Sequence, residues 1–432
     1  MTSRMNLPFR PARLARIAGL LPVALALAAF VAPSAPPPPA PAVAHLPPAP
    51  PVPLLRQEMR RVCQLVGEVE RATGQPTLNR TESRFGFWGT DLGASFTHKD
   101  RTVFLFGDTH VRPGLARPKD VDFIASTADK DPEDCLSLDV PTAPDGGFQP
   151  FVLPDTYQGA FGVPTGGFSL NGRMHVFASA EYAPGNVMAR SVLATSDDDG
   201  HSFAVRFELS RERFINVAPA VVERRDVPGL PPGEGQAVLL WGSGRYRASD
   251  PFLAVLPADR ADDKAALRYF AGLDPAGAPR WSEREADSQP LFNQPCLGEM
   301  SVSWDPRLGR WLMLYNCGAP RSQIVMRSAM QPWGPWSAPQ VLFDPERDGG
   351  FCEYINPGPL RMVAQPVGRV CAARGDPHVP DAVGDAYGPY LLAGAGKVSA
   401  DGRGSDVYFL MSTWNPYTVV LMRATLSLPP GS

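Results

Sequence analysis

Five stretches of the chain share one pattern: a polar or glycine start, an apolar run, and a small or polar finish. They are Arg101–Thr109, Gly172–Ala180, Gly235–Ser243, Gly309–Cys317 and Ser405–Thr413. Across a turn, each is preceded by another strand-like run rich in glycine and small residues. These earlier runs begin near Gly89, Val163, Ile215, Gly298 and Tyr387. Third runs follow in several copies, as at Ser191–Thr195 and Val419–Arg423. Short apolar runs bounded by turn residues read as strands. Their recurrence as antiparallel units of roughly 60–100 residues predicts propeller blades, somewhat longer than common blade periods. Five units predict an all-β, five-bladed β-propeller over residues 76–428. A β-sandwich with long loops is the alternative architecture.

Upstream of these units the texture changes twice. Leu55, Met59, Val62, Val66 and Val69 fall at helical spacing, which predicts a short packing helix over residues 54–75. Before it, residues 45–53 continue a proline- and alanine-rich tract and read as an extended linker. Arg4, Arg10, Arg13 and Arg16 precede an apolar stretch from Ile17 to Ala32, and Ala42-Val43-Ala44 offers a cleavage pattern. That combination predicts a signal peptide over residues 1–44, with retention as an N-terminal anchor as the competing reading. The expected location is secreted or periplasmic, with no membrane insertion once the signal is cleaved.

Composition narrows the class further. Proline (49) and glycine (40) are abundant among the 432 residues, as suits many strands joined by turns. Removing residues 1–44 takes away four arginines and no acids, leaving 37 basic against 44 acidic residues, a net charge of −7. An acidic balance argues against nucleic acid as a partner. The six cysteines, Cys63, Cys135, Cys296, Cys317, Cys352 and Cys371, permit up to three disulfides in an oxidising compartment and do not dictate their pairing. No C-x-x-C pair is present, so neither a zinc site nor a thioredoxin-like centre is supported.

The blade model places chemistry. In an antiparallel blade, the start of the first strand and the end of the second lie on one face. Residues gathered there are Asp91, Asp108, Thr109, His110, Asn216, Ser243, Glu299, Asn316, Thr413 and Asn415, all polar and distant in sequence. Asp91 stands in Gly89-Thr-Asp-Leu-Gly93, Asp108 in Phe106-Gly-Asp-Thr109, and Glu299 opens the fourth inner strand. For the two aspartates the competing role is turn capping. For Glu299 the signal is its place at an expected inner strand, since a glutamate is rarely put among buried apolar positions without a partner, and a structural role is the competing reading. Asp250 is expected to be held by Arg245 and Arg247.

Paired carboxylates facing one pocket suit glycosidic cleavage. One protonates the leaving oxygen, and the other attacks or activates water. Trp88, Trp241, Tyr246, Tyr315, Trp414 and Tyr417 are candidates to stack on sugar faces, with core packing as the alternative. The expected substrate-binding set is Trp88, His110, Asn216, Arg245, Tyr246, Asn316, Trp414, Asn415 and Tyr417. Ser196–Phe203 resembles the Asp-box hairpin of sialidases and other propellers and reads as a structural outer turn. Gly394-Ala-Gly-Lys-Val398 lacks the serine or threonine of a phosphate loop. Histidines are scattered, and no metal or other cofactor is expected.

Gly89–Phe96, Arg101–Thr109 and Met411–Arg423 together resemble domain-of-unknown-function family 4185, a likeness that runs from about Gly86 to Leu426. The resemblance implies a five-bladed propeller and a glycoside hydrolase, since family members are recognised as endo-D-arabinanases. It implies a catalytic role for Asp91 in the matching Gly-Thr-Asp-Leu-Gly motif. Glu299, chosen from blade geometry as the acid partner, and Asp108 complete the expected catalytic set, with Asp91 as base or nucleophile. The expected partner is a polysaccharide or oligosaccharide. The alternatives are a non-catalytic carbohydrate-binding or adhesion propeller, and an interaction scaffold with no sugar ligand.

Overall fold

The computed structural model describes residues 50–117, 121–158, 161–182, 187–317, 323–351, 353–358 and 382–431. The expected signal segment and the start of the linker, with Cys352 and Cys371, lie outside the described residues. The first element among the described residues is a strand, β1 (Leu55–Gln64). Blade 1 follows as β2 (Phe87–His98), β3 (Arg101–Val111) and β4 (Val121–Thr127). Blade 2 is β5 (Pro164–Leu170), β6 (Arg173–Ala180), β7 (Arg190–Ser196) and β8 (Ala204–Ser210). Blade 3 is β9 (Asn216–Glu223), β10 (Gln236–Ser243), β11 (Pro251–Pro257), β12 (Arg268–Leu273) and β13 (Pro279–Ser282). Blade 4 is β14 (Leu297–Asp305), β15 (Arg310–Cys317), β16 (Gln323–Ala329) and β17 (Gln340–Phe343). Blade 5 is β18 (Asp385–Leu391), β19 (Lys397–Val398), β20 (Gly404–Trp414) and β21 (Thr418–Ser427). The one α-helix among the described residues is the short α1 (Thr81–Phe85).

The inner strands contact one another in the order β2, β5, β9, β14, β18 and back to β2, which closes the ring. The predicted first and second strands are therefore the observed ones, and the sandwich alternative is excluded. Five apolar clusters fill the five gaps between neighbouring blades. Successive side chains of a strand point to opposite faces, so each second strand feeds two gaps. Phe104 and Phe106 of β3 face blade 5, while Val103 and Leu105 face blade 2. Burial on both faces explains why these strands read as continuous apolar runs. The inner strands crowd the axis: a Cβ on Gly166 of β5 would sit 2.5 Å from the Val217 carbonyl of β9.

The expected helix over residues 54–75 is corrected by the structure. Leu55–Gln64 pairs antiparallel with β21 as the outermost strand of blade 5. Register shifts between Arg56 and Glu58 and between Arg61 and Cys63 leave Gln57 and Val62 as extra residues. Each bulge breaks the two-residue alternation, so Met59 and Val62 reach different core clusters at a spacing that mimics a helix. Leu55 and Val69, at the ends of the apparent stripe, are exposed. Pairing of β1 with β21 in the last blade, ahead of blade 1 in sequence, fastens the ring non-covalently.

Two disulfides are present among the described residues, Cys63–Cys135 and Cys296–Cys317. The first ties β1 to the loop after β4 of blade 1, and the second joins the start of β14 to the end of β15. Ser196–Phe203 forms the outer turn between β7 and β8, as expected. Asp198 accepts hydrogen bonds from the Ser196 hydroxyl (2.7 Å), the Ser202 backbone (2.9 Å) and the Ser202 hydroxyl (2.6 Å). Among the described residues no helix is long and apolar enough to cross a membrane.

Candidate active site

Where the inner strands begin and the second strands end, a cavity of about 250 Å³ opens at the axis. Asp91, Asp108, Tyr246, Glu299, Trp414 and Tyr417 line it, joined by Arg247, Asp385 and Tyr387. Blades 1, 4 and 5 and the loop after β10 of blade 3 supply these groups, and blade 2 adds the apolar Phe161, Val163 and Met188 to the wall.

Asp91 is placed by an irregular strand. β2 shifts register against β3 between Gly89 and Asp91 and again between Leu92 and Ala94. Leu92 itself sits at φ +64°, a region rare for a bulky side chain and commonly retained at functional sites. The Leu92 N–H donates to the Ser412 hydroxyl at 2.7 Å, anchoring the kink to blade 5. Asp91 is 5% exposed, and its Oδ2 accepts from the Tyr387 hydroxyl at 2.9 Å. Burial penalises the charged form and pushes its pKa up to about 7, with the Glu299 charge adding to the rise. The Tyr417 and Tyr387 hydroxyls and the Arg247 charge pull the other way.

Glu299 is also buried, at 3% exposed, but has other neighbours. Arg247 donates from Nη2 to Oε1 at 3.1 Å and from Nε to Oε2 at 3.3 Å. The Asn316 amide donates to Oε2 at 2.8 Å and the Tyr246 hydroxyl to Oε1 at 3.3 Å. Burial alone would raise its pKa, yet the Arg247 guanidinium and these bonds hold it below the usual carboxylate value. Arg247 is sandwiched against the rings of Tyr246 (4.9 Å) and Tyr387 (5.2 Å). The neighbouring Gly298 is required by packing, because a Cβ there would lie 2.5 Å from the Asn316 amide nitrogen.

Asp108 lies at the cavity with φ +42°. Its N–H donates to the Asp122 carboxylate at 3.2 Å, and Asp122 in turn accepts from Gln158 at 2.8 Å. The turn reading is corrected: Asp108 lies within β3, at a register shift between Phe106 and Thr109, and that irregularity delivers it to the cavity wall.

Other expected contacts fall outside the cavity lining. Trp88 stacks on His110 (centroids 4.8 Å), which meets Tyr417 edge-on at 4.6 Å. Asn316 acts behind Glu299. Asn216 is buried with its amide 3.5 Å from Met188 Sδ. Arg245 is exposed, its carbonyl accepting from Ala248 N at 3.0 Å in a turn. Asn415 is buried, its carbonyl accepting from Asn356 N at 2.9 Å and its amide donating to the Ala382 carbonyl. These residues organise the rim instead of lining the hollow. Trp241 and Tyr315 are fully buried core residues. The expected grip of Arg245 and Arg247 on Asp250 is corrected: Arg247 reaches Glu299, and Asp250 accepts from the Gln294 backbone. Two central residues, Arg247 and Tyr387, were absent from the expected site. Tyr387 stood at a predicted inner-strand start, which was its one available signal.

A family model described as domain of unknown function (DUF4185) matches residues 77–423. No curated protein matches the chain. Among solved structures, a putative hydrolase from Bacteroides ovatus ATCC 8483 is 12% identical with a TM-score of 0.50, covering 80% of this chain and 87% of that one. An exo-beta-1,3-galactanase from Phanerochaete chrysosporium is 9% identical, with a TM-score of 0.44 and coverage of 87% and 67%. A GH43_1 enzyme from Xanthomonas citri is 13% identical, with a TM-score of 0.42 and coverage of 79% and 88%. At such identities a structural likeness speaks for the fold alone.

Proposed function

The chain belongs to the DUF4185 family, and on that footing we propose that it is an exported glycoside hydrolase, endo-acting on a furanoside-containing polysaccharide such as D-arabinan. The observation that carries this reading is a pair of buried carboxylates in one cavity whose pKa values are driven apart. Opposed environments of this kind assign acid and base roles. On this reading we assign the two roles in the opposite sense to the sequence expectation. Asp91, with its pKa near 7, is the proton donor to the leaving glycosidic oxygen. Glu299, held ionised by Arg247, faces the positive charge that develops at the anomeric carbon. It attacks that carbon directly or takes a proton from the attacking water, and the configuration of the released sugar distinguishes the two. Asp108 shapes the wall beside them.

Export is supported by the two disulfides, which persist in oxidising compartments. Arabinan is supported by the family resemblance in Gly89–Gly93 and Met411–Arg423.

The test is digestion of D-arabinan by the wild type, Asp91→Asn and Glu299→Gln, with product length followed by chromatography. Each substitution is expected to reduce cleavage by about 10²–10⁴-fold, the usual worth of a positioned acid or base. Full activity in either variant removes that residue from the mechanism. Binding without any shortening of the chain by the wild type would establish a carbohydrate-binding propeller instead.

A further inference from the structure

Tyr417 lines a second and larger hollow as well as the axial cavity. This groove, of about 650 Å³, runs between the loop after β1 and the β20–β21 turn, with Trp88 in its wall. The axial cavity, at about 250 Å³, falls below the roughly 300–1,000 Å³ typical of small-molecule sites, whereas the groove lies within that range. Trp88 stacks on His110, which meets Tyr417 edge-on, and Tyr417 is the residue that lines both spaces. Trp88 is only half-buried, leaving ring surface on the groove.

The loop that forms the opposite wall is held in shape. Gln64 is 3% exposed, yet its amide donates to the carbonyls of Val66 (2.7 Å) and Val69 (3.1 Å) and accepts from Arg71 N (3.0 Å). Gly67 N donates to the Thr81 hydroxyl at 2.9 Å, and the Thr418 hydroxyl donates to the Val66 carbonyl at 2.8 Å. Buried polar groups are costly unless satisfied; here they are spent on fixing a surface loop beside the catalytic mouth. A preformed wall lowers the entropic cost of ligand binding. The lining carries Glu68, Glu70 and Glu82 with Arg71, and Glu70 is paired with Arg61; the remaining acidic excess accepts hydroxyl donors and disfavours anions.

We propose that this groove is a glycan-binding cleft seating several residues of a neutral polysaccharide on one side of the bond cleaved in the axial cavity. The proposal rests on the hydrolase reading for its substrate. It assigns chain-length recognition to the N-terminal loop and to Trp88, and it makes internal cleavage of long chains a property of this groove. Chains bearing uronate or sulfate groups are disfavoured there.

The experiment compares wild type, Trp88→Ala and Ala72→Trp, the last placing bulk in the groove. The ratio of kcat/KM on an arabinan octasaccharide to that on an aryl arabinoside is measured for each. Binding of the same octasaccharide is measured in an Asp91→Asn background by calorimetry. Both groove variants are expected to lower the ratio and weaken binding by about tenfold, the scale of one lost aromatic contact. An unchanged ratio and unchanged Kd in both variants, with the wild type active, overturns the groove and leaves the hydrolase reading standing. If nothing is cleaved but Ala72→Trp still weakens octasaccharide binding, the groove stands and hydrolysis falls. Absence of both cleavage and binding overturns the two together.

Discussion

Asp91 and Glu299 are buried to a similar degree, and burial raises both; neighbours overturn that rise for Glu299 alone, and stability must follow. The pKa of Asp91 rises from 3.8 to about 7 on folding. Its protonated form favours the native state, and this contribution is lost as pH climbs from about 4 through about 7. Asp91→Asn keeps an acceptor for Tyr387 and removes the penalty. The variant is expected to melt higher than wild type, by an amount that grows between pH 5 and pH 8, while losing activity. Glu299 behaves oppositely: its lowered pKa means stability present at neutral pH and lost on acidification. Glu299→Gln also leaves Arg247 with only the Asp385 carboxylate, 4.0 Å away, and breaking such a buried pair costs up to about 3–5 kcal/mol. Melting curves of the two variants across pH check the opposed signs; equal shifts in one direction would refute them. In wild type, kcat/KM should fall above about pH 7 as Asp91 loses its proton. Replacing Arg247 with Met should move the acidic limb upward, because the cation that holds Glu299 ionised is gone. Of these residues, Asp91 and Glu299 were legible because an acid among glycines or apolar positions is anomalous in one dimension. Arg247 was not, since its reach to Glu299 depends on a loop residue at φ +49° and on two tyrosine rings from different blades.

Strands buried on both faces announce themselves as unbroken apolar runs, and for that reason β3, β6, β10, β15 and β20 could be read directly. β1 could not, because its two bulges move apolar residues off the two-residue alternation and its partner, β21, lies more than three hundred residues away. The same non-locality hid the cysteine pairing. The two observed bridges differ in the loop they close, 72 residues for Cys63–Cys135 and 21 for Cys296–Cys317. Loop entropy then predicts a loss of about 4 kcal/mol for the first and about 3 kcal/mol for the second when each pair is replaced by alanine. Function should rank them the other way. Cys296 and Cys317 flank Leu297–Asn316, which carries Glu299 and its Asn316 support. Removing that bridge is expected to reduce kcat more than removing Cys63–Cys135, although it costs less stability. Denaturation and steady-state kinetics on the two double-alanine proteins decide the matter.

A ring of five sheets has no independent half. Asp91 comes from blade 1 and Glu299 from blade 4, with the whole of blade 5 between them, so their separation is a property of closure. The number of blades could be counted from the repeat, but how the ring fastens could not, because the fastener carries none of the repeat pattern. Deleting residues 54–62, which spares Cys63 and its bridge to Cys135, isolates that step. The deletion removes Leu54, fully buried between blades 4 and 5, and strips β21 of most of its partner. Loss of one buried leucine alone costs about 2–5 kcal/mol, against a total stability of about 5–15 kcal/mol. The unpaired edge of β21 then offers a template for other chains. The shortened protein is expected to show a lower and broader thermal transition, to self-associate in size-exclusion chromatography, and to lose activity in proportion. A monomer with the wild-type transition would mean that contact between β18 and β2 closes the ring unaided, and that the carboxylate spacing does not depend on the N-terminal strand.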